Sequence, residues 1–122
     1  MRFKVHYDNP GAQAEQVVRC QVEAERIGFR GYGVMEAEIG LPPGADVVLD
    51  SLKYSPPHEI QPDRIVFYLS PYAGGSKFEF QFRLRYPIEA LSGQSTLYDY
   101  YNPESHATLK PVKFSADAVK GR

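Results

Sequence analysis

The sequence is poor in cysteine, with Cys20 alone among 122 residues. One cysteine cannot form an internal disulfide, and no group of cysteines and histidines has the spacing of a zinc site. Cys20 lies between Val18 and Val22 in an alternating run, which predicts a small buried apolar side chain rather than a reactive thiol. We therefore expect no metal and no cofactor.

The sequence also lacks an excess of charge of one sign, since 14 basic and 15 acidic residues leave a net charge of -1. Such a balance gives no long-range field to concentrate nucleic acid or anionic lipid, so neither is expected as a partner. The longest apolar runs span only a few residues, which disfavours membrane insertion. Residues 1–6 are too polar for a signal peptide, so any export signal is expected outside this chain.

Motifs of catalysis are missing as well. The chain has no Gly-x-Ser-x-Gly elbow, and His6, His58 and His106 lie in unrelated local contexts, which disfavours a nucleophilic enzyme. Glu36 and Glu38 form a carboxylate pair, but they fall on the polar side of a predicted strand, where solvation explains them without glycosidase chemistry. The sequence therefore predicts a protein that is not an enzyme.

Aromatic residues are abundant, with nine tyrosines and seven phenylalanines, and they favour strands. Apolar and polar residues alternate with a period of two along most of the chain, and each such run predicts a strand with one buried face. The predicted strands are residues 3–7, 18–25, 35–39, 65–69, 78–86, 97–101 and 107–114. This pattern is typical of one all-β domain, an antiparallel β-sandwich of Ig-like architecture.

The connections between these strands carry further predictions. The run 65–69 and the run 78–86 are separated by a glycine-containing turn, which predicts a hairpin at the centre of the domain. Residues 46–55 predict one short crossover helix, capped by Asp46 and ended by the following prolines. Pro103 is predicted to end the strand 97–101, and Pro111 indicates an edge or a bulge. The domain is expected to cover residues 1–114, followed by a flexible tail over 115–122.

One segment is more distinctive than the rest. Residues 98–104 read Tyr-Asp-Tyr-Tyr-Asn-Pro-Glu and include Tyr98, Asp99, Tyr100 and Tyr101. Upstream lie the turn Leu-Pro-Pro-Gly at 41–44 and the strands Ile-Val-Phe-Tyr-Leu at 65–69 and Phe-Gln-Phe-Arg-Leu-Arg at 80–85. In this order, over residues 3–114, the landmarks resemble the C-terminal receptor-binding domain of the alpha-2-macroglobulin family, which complement thioester proteins and bacterial relatives share.

The resemblance implies a macroglobulin-like β-sandwich with one helix, downstream of a thioester domain in a large secreted, periplasmic or cell-envelope protein. Such parent proteins include protease inhibitors and defence proteins. The reactive Cys-Gly-Glu-Gln motif is absent from this chain, so the implied role is to pack on the thioester domain or to bind a protein receptor. Because the animal-type disulfide cysteines are also absent, a bacterial member is favoured. The tyrosine segment would be a structural signature of the family.

The resemblance also singles out Lys53. In animal members a low-density-lipoprotein-type receptor recognises two lysines one helical turn apart. Lys53 matches the second of these lysines, whereas Leu49 stands at the first, and Asp46 and Asp50 add negative charge nearby. Lys53 is therefore the one predicted partner-binding residue.

An alternative hypothesis comes from a different class of protein. A free-standing Ig-like adhesion or carbohydrate-binding module would present exposed aromatic rings as a flat platform, and Tyr32, Tyr54 and Tyr72 are the candidates. This hypothesis predicts no thioester motif in the parent gene. The macroglobulin hypothesis predicts both an export signal and a thioester motif upstream.

Overall fold

The computed structural model describes residues 2–8, 16–25, 34–70, 75–84, 88–99 and 102–116. Within these ranges the chain forms strands joined by turns and one short 3-10 turn at Leu49–Leu52. The strands are β1 Arg2–Tyr7, β2 Val17–Glu25, β3 Met35–Gly40, β4 Ala45–Val47, β5 His58–Gln61, β6 Arg64–Leu69, β7 Ser76–Leu84, β8 Ile88–Leu91, β9 Ser95–Asp99, β10 Asn102–Leu109 and β11 Lys113–Ala116. No helix in the described part of the chain is long and apolar enough to cross a membrane.

The strands pair into two main antiparallel sheets. Sheet I has the order β1-β2-β7-β4, and sheet II has the order β10-β9-β3-β6-β5. A ribbon of two strands, β11 and β8, accompanies them. The predicted all-β class and antiparallel β-sandwich are thereby confirmed.

The period-two alternation explains why each strand buries one face. Along β2, Val18, Cys20 and Val22 are at most 1% exposed, while the intervening polar side chains point to solvent. Cys20 lies opposite Phe80 of β7, and it is fully buried, as predicted. Burial of this apolar row removes hydrocarbon surface from water and holds β2 and β7 against the core.

The centre of the core is aromatic and lies between the sheets. The Phe67 ring of β6 is 4.5 Å from the Phe78 ring and 5.5 Å from the Phe80 ring, both on β7. Since β6 belongs to sheet II and β7 to sheet I, the predicted hairpin of these two strands is wrong. Both strands alternate because both face one core, and alternation does not reveal whether two strands pair or face each other.

The predicted helix over 46–55 is also wrong in most of its length. Residues 45–47 form β4, and Asp46 lies opposite Arg83 of β7 rather than capping a helix. Val48, at the start of the 3-10 turn, has an extended backbone and makes no side-chain capping hydrogen bond. The open edge of β7 offers hydrogen-bond partners that a helix would forgo. The turn does connect the two sheets, since β4 lies in sheet I and β5 in sheet II.

The C-terminal region differs from prediction in its strand boundaries. The predicted strand 107–114 is two strands, β10 and β11, separated at residues 110–112, which include Pro111. Pro103, predicted to end a strand, lies inside β10, which is an edge strand whose register shifts between Asn102 and His106. Proline is tolerated at such edges and bulges because no ladder hydrogen bond is lost.

The predicted tail starts too early. Ser115 and Ala116 belong to β11 and lie opposite Glu89 and Ile88 of β8, a strand that its polar surroundings concealed. The rest of the predicted tail lies outside the described residues, as do the predicted turn at 71–74 and the end of the predicted strand at 85–86.

Candidate functional site

The 3-10 turn that carries the predicted site is fixed to sheet I. The Ser51 hydroxyl oxygen accepts a 2.9 Å hydrogen bond from the backbone N–H of Gln81, and the Gln81 carbonyl accepts a 2.8 Å bond from the N–H of Val48. The Ser51 hydroxyl also donates to the Val48 carbonyl at 2.5 Å. Leu52 is 5% exposed and anchors the turn in the core. These contacts hold the other side chains of the turn toward solvent.

Three of those side chains form what we call the crossover surface: Leu49, Lys53 and Tyr54. Leu49 is 70% exposed and Tyr54 is 91% exposed, which is unusual for large apolar and aromatic side chains. The Lys53 Nζ lies 5.5 Å from the centre of the Tyr54 ring. A cation–π contact at an exposed site contributes about 0.5–1 kcal/mol, which favours one arrangement of this pair without making it rigid.

The geometry of the turn separates Lys53 from the position that should complete a lysine pair. On an α-helix, residues four apart lie about 40° from each other around the axis. On a 3-10 helix with three residues per turn, the same spacing places them about 120° apart. Leu49 and Lys53 are therefore on different sides of the turn, and Leu49 carries no charge. Lys53 is exposed, as its predicted role requires, but the paired-cation geometry is absent.

An apolar groove that the sequence did not reveal adjoins the crossover surface. An opening of about 520 Å³ lies between the edge strands β4 and β5, and Leu49 stands at its rim. Leu41 and Val47 line it from one side, and Ile60 and Pro62 from the other. Ile60 is 46% exposed, although it lies in a strand. With only four residues, β5 is too short to show an alternating pattern.

Two members of the tyrosine signature are described, and they lie on opposite faces of β9. Asp99 is 4% exposed and lies opposite Met35 on the core side of sheet II. Tyr98 lies on the outer face opposite Glu36. Burial and a hydrogen bond with Glu36 raise the pKa of the Tyr98 hydroxyl above its ordinary range. Tyr100 and Tyr101 lie outside the described residues.

The carboxylate pair on β3 is not uniformly solvated. Glu36 is only 9% exposed, so the prediction that solvent surrounds it is wrong. The side chain of Glu38 is 26% exposed, and its Oε2 lies 3.6 Å from Nη1 of Arg64. Neighbouring tyrosines cover Glu36, and cross-strand neighbours of this kind cannot be deduced from alternation along one strand.

Tyr54 also borders a second groove, of about 400 Å³. Pro56, Pro57 and Tyr68 line this groove together with several serines. Tyr54 is thus the candidate platform residue for which the structure gives an exposed ring. Tyr32 and Tyr72 lie outside the described residues.

The histidines and acids of the described residues do not converge on a catalytic or metal centre. No three side chains of histidine, cysteine, aspartate or glutamate come together there as metal ligands. His58 places Nδ1 3.0 Å from the Pro56 carbonyl and its ring near Phe67. These contacts fit a structural role.

Comparison with known proteins adds no identity. No family model matches the sequence, and no curated protein matches it.

Proposed function

We propose that the chain is a non-catalytic C-terminal domain of an alpha-2-macroglobulin-like thioester protein, exported as part of a larger precursor. In this role it binds a protein receptor or packs on the thioester domain through the crossover surface. The observation that carries the proposal is the projection of Leu49, Lys53 and Tyr54 from a turn fixed to sheet I. The β-sandwich, with a helical crossover at the point where the resemblance implies one, supports it.

The crossover surface suits protein recognition on physical grounds. Aromatic and aliphatic side chains contribute most of the energy at protein interfaces, and they do so best when little ordering is needed on binding. Ser51 and Leu52 already order this turn. The adjoining groove extends the apolar area toward Ile60. The same surface therefore offers one anchor of each kind: aliphatic, aromatic and cationic.

Apolar packing contributes more to this proposal than receptor capture by charge. Lys53 supplies one ammonium group where the animal receptor uses two. Asp50, exposed on the same turn, repels an acidic receptor pocket. Packing against another domain of the parent protein uses Leu49 and Tyr54 and needs no second lysine.

Surface plasmon resonance tests the receptor part of the proposal, with immobilised ligand-binding repeats of a low-density-lipoprotein-type receptor as the probe. If Lys53 makes a desolvated contact, Lys53→Ala lowers affinity roughly tenfold. Lys110→Ala, which removes an exposed lysine elsewhere, serves as the matched control. Equal binding by wild type and Lys53→Ala removes Lys53 from the site.

The parent gene tests the thioester part. We expect the reading frame upstream of residue 1 to encode a Cys-Gly-Glu-Gln segment and an export signal. A ribosome start at Met1 with nothing fused before it contradicts the thioester-protein role and leaves the β-sandwich intact.

The exposure of Tyr54 favours a second candidate, the adhesion or carbohydrate-binding module. An exposed ring beside a groove of about 400 Å³ resembles a sugar platform, with hydroxyl groups from the lining serines nearby. Isothermal titration calorimetry against a panel of soluble oligosaccharides tests it, with Tyr54→Ala expected to abolish binding. Sugar binding that survives Tyr54→Ala, or none by wild type, contradicts this candidate.

A further inference from the structure

The outer face of sheet II carries a row of four side chains that pair across neighbouring strands. Glu36 on β3 lies opposite Tyr98 on β9 and opposite Tyr68 on β6. His106 on β10 continues the row beyond Tyr98. Directly opposed residues in antiparallel strands share a face, with Cβ atoms about 4.5–5.5 Å apart. Met35, next to Glu36 in sequence, is buried in the core, so the row lies on the side away from the core.

Negative charge predominates on this face. Glu38 lies two residues beyond Glu36 and therefore on the same side of β3. Glu59 of β5 joins them, since it lies opposite Val66, which is itself opposite Glu38. Arg64 is the cation of the described part of this face, and it is shared between Glu38 at 3.6 Å and Asp63 at 3.1 Å. Three glutamates and one shared arginine leave the face acidic.

Glu36 is the unusual member because nine-tenths of it is buried on a face that has no sheet packed upon it among the described strands. A carboxylate removed from water needs compensation by hydrogen bonds or by an opposite charge. The Tyr98 hydroxyl donates a hydrogen bond to it, which supplies a dipole but no positive charge. A cation near Glu36 and Glu38 would complete the compensation.

We propose that the outer face of sheet II docks a protein surface that presents arginine, with one guanidinium group bound by Glu36 and Glu38 between the rings of Tyr68 and Tyr98. A guanidinium group matches a carboxylate with two parallel hydrogen bonds and stacks on aromatic rings, which an ammonium group does less well. The acidic charge of the face complements such a partner. This interface is separate from the crossover surface and does not depend on the macroglobulin proposal.

Nuclear magnetic resonance titration of the intact chain tests the proposal, with acetyl-glycyl-arginyl-glycine amide as the probe. We expect saturable shifts in the backbone amides of β3, β6 and β9. The same peptide with citrulline in place of arginine keeps the shape and loses the charge, and it should bind roughly tenfold more weakly. Equal binding of the two peptides, shifts confined to other strands, or no shifts at all would overturn the proposal.

Variants sharpen the test. Glu36→Gln and Glu38→Gln should each weaken arginine-peptide binding roughly tenfold. Glu79→Gln removes an exposed carboxylate from β7 in sheet I and should leave binding unchanged. An equal loss in Glu79→Gln would indicate nonspecific charge attraction and overturn the site. If Glu36→Gln does not fold, Glu38→Gln and the citrulline peptide decide. Calcium chloride producing the same shifts more strongly than the arginine peptide would identify a metal site instead.

Discussion

The hydroxyl of Tyr7 donates a 2.6 Å hydrogen bond to the backbone carbonyl of Gly40. Tyr7 ends β1 in sheet I and Gly40 ends β3 in sheet II, so this bond joins the two sheets directly. The backbone N–H of Gly40 donates to the Ser95 hydroxyl at 3.0 Å, which adds β9 to the connection. The Tyr7 ring also meets the Phe114 ring edge-on at 4.9 Å. One tyrosine thus contributes a polar link and an apolar contact at the same end of the sandwich.

Tyr7→Phe should destabilise the protein by about 1–3 kcal/mol, because it leaves the buried Gly40 carbonyl without its hydroxyl donor while the ring still fills its place. Urea denaturation followed by circular dichroism measures the free energy of unfolding. Tyr54→Phe, at a site 91% exposed, is the matched control and should change stability by less than about 0.5 kcal/mol. Similar losses in the two variants would contradict the role of the Tyr7 hydroxyl.

Gly40→Ala should destabilise the protein by about 3 kcal/mol, because the added Cβ would stand 2.1 Å from the backbone oxygen of Gly93. A backbone atom cannot move aside as a flexible side chain can. Gly93→Ala is the control, since its Cβ would meet the Gly40 Cα at an ordinary 3.9 Å. Thermal denaturation of both variants should therefore give clearly different midpoints. A drop for Gly93→Ala as large as for Gly40→Ala would argue against this close approach.

Phe67→Ala should cost about 3–5 kcal/mol, because it opens a cavity between the sheets where two rings of β7 lose their partner. Leu49→Ala removes an aliphatic side chain that is 70% exposed, and it should change stability by less than about 0.5 kcal/mol. Guanidinium denaturation monitored by tyrosine fluorescence compares the two. A small effect of Phe67→Ala would be incompatible with a sandwich centred on this residue.

Stability should decline as the pH rises above about 8.5, the ordinary pKa of a thiol. Burial, with a smaller contribution from the charge of Asp8, raises the pKa of the Cys20 thiol far above that range. Above pH 8.5 the unfolded chain has lost this proton while the folded chain keeps it, so the free energy of unfolding falls by about 1.4 kcal/mol per pH unit.

Urea denaturation between pH 7.5 and about 9.5 measures this slope below the range in which tyrosines ionise. Cys20→Ala should flatten the dependence on pH, whatever its effect on the absolute stability. A slope that persists unchanged in Cys20→Ala would assign the decline to other groups.

The sequence predicted which side of each long strand is buried, and it did not predict the partner of each strand. In β2, β3, β6, β7 and β9, apolar and polar residues alternate, so hydrophobic burial selects the face. The hairpin predicted between β6 and β7 shows the limit, because Phe67 and Phe80 read the same whether their strands pair or face each other. Strands as short as β4 and β5 leave no period to detect, and β4 formed where a helix was predicted.

The candidate sites show a similar division. The exposure of Lys53 and Tyr54 follows from their position in a polar connection flanked by prolines, which is visible in the sequence. The burial of Glu36 is not visible there, because it depends on Tyr68 and Tyr98, which approach it from strands distant in sequence. The groove beside Ile60 likewise arises from two strands of different sheets.

The pairing of β2 with β7 sets an order of events during synthesis. Val17 lies opposite Arg83, so the third strand of sheet I cannot join until most of the chain has left the ribosome. Until then the hairpin of β1 and β2 has formed its own hydrogen bonds, but its apolar row has no sheet to cover it. The nascent protein therefore exposes Val18, Cys20 and Val22 as a sticky edge, the kind of surface that chaperones bind and that oxidants reach.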